Sequence, residues 1–468
     1  MKTAVIFGAS GNLGFVLKPT LEDAGWQVAG LDRGQINAQV ATVDQVIEIL
    51  KQAAATLVIN LVAMNDVDGA EGAGAELATQ LNEQFAEVVA LAAAALQLPV
   101  MHVSSDYVFD GSQAPYSEDA VPTPQSHYAR TKAAGERLVQ QANPQATIIR
   151  TSRLYGPIPP SSSAKPSFAT SVVKWAIGAG PKALKLVDEE YGCPTYTPDL
   201  AAAILTIAND QSTYGPGLYH LVNEGEGVTW YGFAQEIFQT LNIAPLSEAV
   251  TAATFGSRPA KRPSNSSLLN TRGPKLPTRT EALKKMFFGL QLELTGFPGL
   301  ALVTPKKFTD ERGAFGEAFN PARWKVFGLP TDITQVNTAV SKKGVWRGLH
   351  FQKPPYAQGK TVRCLNGAVH DVVVDIRPES PTYGQHFGVE LTAESGRWMV
   401  VPPGFAHGYL SLTDNNMFEY YITGAPWHKP SEGGLRYNDP DLHITLPDIG
   451  TDILAKDVDL AWPLWTDR

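Results

Sequence analysis

The spacing of apolar and polar positions changes character part-way along the chain. Up to about Arg150, short β-rich runs (Thr3 to Phe7, Val28 to Leu31, Leu57 to Leu61, Val100 to Ser104, Ala146 to Arg150) alternate with segments of helical spacing at Asp44 to Ala54, Glu76 to Leu96 and Tyr128 to Gln141. This alternation predicts parallel strands with crossover helices, an α/β doubly wound sheet of Rossmann type. From Thr151 to Leu290, short helices mix with turns such as Gly156-Pro157-Ile158-Pro159-Pro160 and the small-residue stretch Ser161 to Ala164, a pattern expected of a substrate cap. After an amphipathic stretch from Thr280 to Phe288, short strands separated by turns take over: Gly344 to Phe351, Lys360 to Leu365, Ala368 to Ile376, Gly388 to Thr392, Trp398 to Val401, Tyr409 to Leu412 and Phe418 to Thr423. An all-β antiparallel sandwich or barrel is expected there, with domains at 1–290 and 291–468. No internal repeat or heptad is visible.

Composition narrows the class. A chain of 468 residues that is 44% hydrophobic exceeds what one core serves, so two domains are expected. A net charge of -8 argues against a broad grip on nucleic acid or on a membrane surface, so any phosphate is held locally. Cys193 and Cys364 stand one in each half, which is no disulfide framework and fits a reducing cytoplasm. The start runs from Lys2 directly into an apolar strand, so export is not expected, and the run Val88 to Leu96 is too short to span a bilayer.

Candidate chemistry in the first half begins with Gly8, Gly11 and Gly14 between a strand and a helix, where missing side chains let backbone N–H groups approach a pyrophosphate. Asp32 follows the next strand about 20 residues on, as ribose recognition requires. With Arg33 beside it, which suits a 2′-phosphate, the pair leaves NADPH and NADH both open, NADPH favoured. Tyr128 and Lys132 are four apart on one helix face, where the ammonium is expected to lower the phenol pKa and hold the nicotinamide ribose. Tyr128 then delivers a proton to a carbonyl oxygen that Ser105, at a strand end, also binds. A Tyr-x-x-x-Lys spacing alone is common on exposed helices; the ordered glycines and Ser105 give it weight.

In the second half, Arg347, His350, Lys360 and His407 fall on or beside predicted strands whose inward positions converge. A histidine base among cations removes a proton next to a ketone because the cations stabilise the enolate oxygen. Asp457 is expected to orient the His350 ring, and Tyr420, chosen over Tyr421 by its spacing from His407, to return a proton on the opposite face. The net reaction is epimerisation. A cupin metal site wants His-x-His, but Gln352 follows His350, so no metal is expected. His370, His386, His428 and His443 read as packing or surface residues.

Over residues 1 to 288 the chain resembles the extended short-chain dehydrogenase/reductases and, more narrowly, the dTDP-4-dehydrorhamnose reductases. The strings Ser104-Ser105-Asp106-Tyr107-Val108-Phe109-Asp110-Gly111, Arg150-Thr151-Ser152, Tyr155-Gly156, Gly192-x-Pro194-Thr195 and Arg262-Pro263-x-x-Ser266 carry the likeness, with Arg153 standing where an aromatic residue is usual. The resemblance adds Asn12, Leu13 and Ala63 to the cofactor side. From Leu292 to Arg468 the chain is similar to the dTDP-4-dehydrorhamnose 3,5-epimerases, through Asp310-x-Arg312-Gly313-x-Phe315-x-Glu317, Gln335-x-Asn337, Arg347-Gly348-Leu349-His350-Phe351-Gln352, Gln358-Gly359-Lys360, Asp371-x-x-x-Asp375-x-Arg377 and Gly404-Phe405-Ala406-His407-Gly408. That likeness implies a cupin-like jelly roll, His350 as base, Asp457 as its partner and Tyr420 as acid. It places Lys360, Arg347 and His407 around the sugar, puts Arg312, Phe315, Glu317, Gln335 and Asn337 on the nucleotide side, and implies a homodimer through the C-terminal domain.

Together the two likenesses imply a bifunctional enzyme acting on a dTDP-linked 4-keto-6-deoxyhexose: the second domain inverts C3 and C5, and the first reduces C4. The alternatives are the same chemistry on a UDP-sugar or another deoxysugar nucleotide, and a regulatory nucleotide-binding subunit fused to a sugar-binding barrel. The intact Ser105, Tyr128 and Lys132 weigh against the last.

Overall fold

The computed structural model describes residues 1–159, 166–179, 182–244 and 247–467. The stretch Ser161 to Ala164 lies outside the described residues. The chain forms two compact units, one of Met1–Ala169, Lys185–Thr240 and Ser247–Met286, the other of Phe287–Arg468 with Thr170–Leu184 and Leu241–Leu246.

In the first unit, β1 (Thr3–Phe7), α1 (Asn12–Asp23), β2 (Gln27–Leu31), α2 (Val43–Gln52), β3 (Leu57–Asn60), α3 (Phe85–Ala95), β4 (Val100–Ser105), α4 (His127–Ala142), β5 (Thr147–Thr151), α5 (Thr197–Asn209) and β6 (Gly217–His220) follow in sequence. The strands form one parallel sheet in the order β2-β1-β3-β4-β5-β6. Its strands are apolar on both faces because helices cover both. Ala4, Ile6, Ile59 and Ile149 meet Leu13, Leu17 and Leu21 of α1 and Leu200 and Ile204 of α5, while Val5, Phe7, Val58 and Ile148 meet Val46, Phe85 and Val89. After β2 the chain crosses to the other side of β1, which opens a crevice at the carboxyl ends of β1 and β3.

The helix expected over Glu76 to Leu96 runs without a gap from Ala75 to Ala95 and widens for one turn over Gln80–Gln84, before α3. Asn82 sits in that turn, and its side chain accepts from Met64 N at 2.8 Å and donates to Met64 O and to Thr131 Oγ1, both at 3.1 Å. Gly135 of α4 lies so near that a Cβ there would sit 2.1 Å from Asn82 O. The widened turn thus ties the loop after β3 to α4.

The second unit holds β7 (Leu290–Leu294), β8 (Ala301–Pro305), β9 (Ile333–Ser341), β10 (Trp346–Gln352), β11 (Gln358–Asn366), β12 (Ala368–Asp375), β13 (His386–Thr392), β14 (Trp398–Val401), β15 (Phe405–Ser411), β16 (Asn416–Gly424), β17 (Glu432–Gly434) and a short α6 (Asp457–Leu460). They form two antiparallel sheets, β7-β8-β14-β11-β16-β9 and β13-β12-β15-β10-β17. Alternate residues of each point into a shared core: Leu302, Val362, Met399 and Phe418 from the first sheet meet Val369, Val373, Phe405 and Tyr409 from the second. The last stretch of the second unit begins at Phe287, shortly before β7, and that unit also takes in Thr170–Leu184 and Leu241–Leu246, which the expected division at Leu290 put in the first domain.

Candidate active sites

The turn from β1 to α1 fits a dinucleotide. A Cβ on Gly14 would lie 2.6 Å from Gly8 O and 2.7 Å from Ala9 Cα, so only glycine permits so close a join. Gly8 has φ +86, and the N-cap Gly11 offers no side chain to the first amides of α1, at Asn12 and Leu13, which leaves them for an anion. Asp32, just past β2, accepts from Gly34 N at 2.8 Å, and Arg33 is exposed. Ala63 sits in the loop that Asn82 anchors at Met64.

Ser105 ends β4, and Tyr128 and Lys132 ride the first turns of α4, which Ser126 caps by accepting from Ala129 N. The Tyr128 ring packs edge-on against Tyr107, centroids 6.0 Å apart, with Ser105 nearby. Its pKa is pushed up to about 12, burial outweighing the Ser105 hydrogen bond that lowers it. The expected lowering by Lys132 is absent: that ammonium donates to Val103 O at 2.8 Å, and burial brings it down to about 8 against the pull of Glu136. Ser105 Oγ also donates to the buried Asp106 at 3.1 Å, and Asp106 Oδ2 accepts from Ser152 at 2.7 Å and from Ser266. Burial raises the Asp106 carboxyl even so. Arg153 stacks over Trp230 at 4.1 Å and donates to Val228 O and Glu190 O.

In the second unit the base candidate has a different partner from the one expected. His350 Nε2 lies 2.8 Å from Asp459 Oδ1, with Asp459 buried. Asp457, two residues earlier on α6, is exposed: a helical step of two turns a side chain to the far side, so only one of these carboxylates faces His350. Arg347 and His350 are three apart and would face opposite ways on a regular strand. The register of β10 against β15 shifts between them, and both line a cleft of about 520 Å³ with Trp346, Glu432, Lys456, Asp459 and Trp462.

Lys360 donates to His350 O at 3.3 Å, and burial lowers it to about 8, opposed by Asp371 and Glu432. His407, paired with His350 across β15 and β10, has Nε2 2.8 Å from Asp371 Oδ1. Burial holds the His407 pKa down, against Asp371. Tyr420 presents its ring edge-on to His407 at 5.9 Å, and burial lifts its phenol well above the ordinary value, with the Tyr409 hydroxyl adding to the effect. Tyr421 faces the other way, onto Trp398 and Phe319. Asp371 and Asp459 are functional candidates that the sequence reading gave no role; the available signal was a carboxylate at an apolar strand position, Asp371 before Val372-Val373-Val374.

The five nucleotide-side candidates do not join this cluster. Arg312 and Phe315 sit exposed on the hairpin of Phe308–Asp310 with Gly313–Phe315, where Arg312 pairs with Asp310. Glu317 accepts from Arg323 at 2.7 Å, and Gln335 donates to Asn337 at 2.7 Å on the edge strand β9. His428 stacks on Tyr356 at 3.8 Å, and His386 Nδ1 bonds Leu442 O. Among the described residues no group of three or more His, Cys, Asp or Glu could hold a metal ion.

A family model described as RmlD substrate binding domain matches residues 1–287, and one described as dTDP-4-dehydrorhamnose 3,5-epimerase matches residues 294–467. A dTDP-4-dehydrorhamnose reductase of Sinorhizobium fredii is 33% identical over 63% of this chain and 99% of that protein. A dTDP-4-dehydrorhamnose 3,5-epimerase of Shigella flexneri is 46% identical over 33% of this chain and 84% of that protein. The chain belongs to both families. Reductase and epimerase of dTDP-L-rhamnose synthesis are joined in one polypeptide. The crystal structure of the Clostridium acetobutylicum reductase is similar to the first unit at 30% identity and TM-score 0.55, over 61% of this chain and 98% of that one. The Bacillus anthracis reductase, solved in complex with NADP, is similar at 28% identity and TM-score 0.55, over 61% of this chain and 99% of that one.

Proposed function

We propose that the second unit inverts C3 and C5 of dTDP-4-dehydro-6-deoxy-D-glucose and that the first unit then reduces the C4 ketone with NADPH or NADH. The observation that carries this reading is the grouping of His350 and its Asp459 partner with Lys360, His407 and Tyr420 in one sheet-to-sheet interior. Asp459 steadies the imidazolium formed when His350 takes the proton beside the ketone. The Lys360 ammonium and Arg347 guanidinium stabilise the enolate oxygen, and Tyr420, kept neutral by burial, gives a proton to the opposite face. His407, with Asp371 behind it, binds the sugar.

In the reductase, Gly8, Gly11, Asn12, Leu13 and Gly14 would hold the pyrophosphate, Asp32 or Arg33 the adenosine ribose or its phosphate, and Ala63 the path across the crevice. A bound dinucleotide supplies the hydride for C4. Tyr128 donates the proton, Ser105 polarises the ketone oxygen, and Lys132, charged at neutral pH, holds the nicotinamide ribose. Similarity to a reductase solved with NADP supports NADPH.

The two antiparallel sheets read as a cupin-like jelly roll. The free edge of β9, with Val336 49% and Val340 58% exposed, and the exposed Phe308 and Phe315 support a homodimer through this unit, which is also where the nucleotide-side residues Arg312, Phe315, Glu317, Gln335 and Asn337 would be completed. Two free, buried cysteines support a reducing cytoplasm, and among the described residues no helix is long and apolar enough to cross a membrane. Incubating the full chain with dTDP-4-dehydro-6-deoxy-D-glucose and NADPH should give dTDP-L-rhamnose by NMR. A reduced but uninverted sugar, or equal turnover of the UDP analogue, would overturn the assignment.

A further inference from the structure

Ser105 has one proton and two neighbours that want it. Its Oγ caps the short turn Asp106–Val108 by accepting from Tyr107 N at 3.2 Å, and it lies 3.1 Å from Asp106 Oδ1, a contact for which either oxygen can supply the hydrogen. A hydroxyl has one hydrogen and two lone pairs, so beyond Tyr107 N one of each remains. If Asp106 is ionised it takes that hydrogen, and Ser105 can offer a ketone oxygen only a lone pair. If Asp106 carries a proton on Oδ1, that proton fills the lone pair and the Ser105 hydrogen is free for the ketone.

The surroundings of Asp106 fit the second state. It is buried, and its hydrogen-bond partners are three serine hydroxyls. Ser152 Oγ, which accepts from Cys193 N at 3.2 Å, sends its own hydrogen to Oδ2 at 2.7 Å. Ser266 Oγ reaches Oδ2 more closely than its other acceptor, Tyr191 O at 3.2 Å. Two donors on Oδ2, with Ser105 alone at Oδ1, is the pattern of the C=O and O–H of a neutral acid. The ionisable groups around it are Arg153, Tyr107, Tyr128 and Cys193. Of these only Arg153 is a cation; it gives hydrogen bonds to Val228 O and Glu190 O, and burial of the carboxyl outweighs its pull. An anion at Asp106 would also hold back the Tyr128 proton.

We propose that Asp106 works as a neutral acid, donating to Ser105 so that Ser105 can donate to the ketone oxygen at C4. The inference rests on the reading of Ser105 as the group that polarises that oxygen. An apolar site can keep a carboxylic acid protonated at neutral pH so that it serves as a hydrogen-bond donor. As C4 is reduced, the π electrons of the carbonyl pass to its oxygen. The proton that settles there comes from Tyr128, while Ser105 and Asp106 keep theirs, so the pair polarises without net transfer. Asp106 does not touch the sugar; it is a positioning residue that acts through Ser105.

The test follows C4 reduction of supplied dTDP-4-dehydro-L-rhamnose by the full chain at saturating NADPH. Asp106→Asn can repeat the neutral pattern, its amide oxygen toward Ser152 and Ser266 and its NH2 toward Ser105, and should keep kcat within about threefold. Asp106→Ala removes the donor and should lose about 10²-fold, the scale of one hydrogen bond to a developing oxyanion. The infrared difference between wild type and Asp106→Asn at neutral pH should contain the C=O stretch of a protonated carboxyl, shifted in D2O. A carboxylate band in its place, or a loss in Asp106→Asn as large as that in Asp106→Ala with NADPH still bound, would overturn the proposal. Should Asp106→Ala fail to bind NADPH, the infrared band and the Asn variant decide alone. Ser105→Ala separates the two levels: if it reduces C4 at the wild-type rate, the reading of Ser105 falls. If it loses about 10²-fold while wild type shows the carboxylate band, only the role of Asp106 falls.

Discussion

The pairing of His350 with Asp459 in place of Asp457 makes a sharp prediction, because two carboxylates two residues apart should behave oppositely. At 2.8 Å, with Asp459 at 3% exposure, the contact is a charge-assisted hydrogen bond between a partly buried imidazole and a buried carboxylate. Such bonds are worth about 1.5–3 kcal/mol. The relevant quantity is the part of that energy that appears only when His350 carries the abstracted proton. Asn at 459 keeps shape and an acceptor oxygen but cannot stabilise the imidazolium, so Asp459→Asn should lower epimerase kcat by about 10–150-fold, since each 1.36 kcal/mol is tenfold. Asp457→Asn alters an exposed side chain, and surface changes usually stay within about 0.5 kcal/mol, so its kcat should remain within about threefold. Deuterium wash-in at C3 and C5 without reductant measures this step alone, and reduction of supplied dTDP-4-dehydro-L-rhamnose by the same protein checks the other unit. Equal losses from both substitutions, or loss from Asp457→Asn alone, would refute the geometric assignment.

Tyr128→Phe should cost about 10²-fold or more in C4 reduction of the epimerised ketosugar and leave deuterium wash-in unchanged; loss of both would reject independent sites. Gly14→Ala should weaken NADPH binding, measured by fluorescence titration, and cost about 1–3 kcal/mol of stability in the first unit, because its Cβ meets backbone at 2.6 Å; an unchanged Kd would count against the turn as the pyrophosphate site. Lys360, lowered to about 8, should lose its proton and its hold on the enolate as pH rises, so epimerase kcat/KM should fall through about pH 8. Burial of the charged form costs stability below that pH, and the unfolded chain binds more protons between about 8 and the usual lysine value, so stability relative to Lys360→Met should rise over the same window; a fall would reverse the reasoning. Val336→Lys with Val340→Lys should yield monomers in sedimentation if the edge of β9 joins two copies, and an undiminished dimer would move the interface elsewhere.

What could be read from the sequence depended on which physical constraint fixed each residue. The parallel strands were legible because residues such as Val5, Ile6 and Phe7 must be apolar on both faces under two helix layers. The glycine turn and the Tyr128–Lys132 pair were legible because backbone closeness and helical spacing are local. Asp459 was not, since a helix of four residues, Asp457–Leu460, carries no period from which to choose between its two acids. Arg347 and His350 contradict strict alternation and converge only through the shift at Gly348, where a Cβ would meet Gly408 Cα at 2.5 Å. The strand β9 escaped the pattern because it lies at an edge with most of its residues in solvent, so neither face needs to be apolar. The widened turn before α3 holds Asn82, which reaches Met64 and Thr131, contacts far apart in sequence.

The two chemistries in this chain are ordered by acidity. The protons at C3 and C5 can be removed by a histidine only while a ketone at C4 accepts the charge, and reduction of that ketone ends all further inversion. A reductase that acted on the uninverted or singly inverted sugar would therefore fix the wrong configuration permanently. Fusion sets one epimerase for every reductase, but equal numbers do not prevent early release of a half-inverted ketosugar.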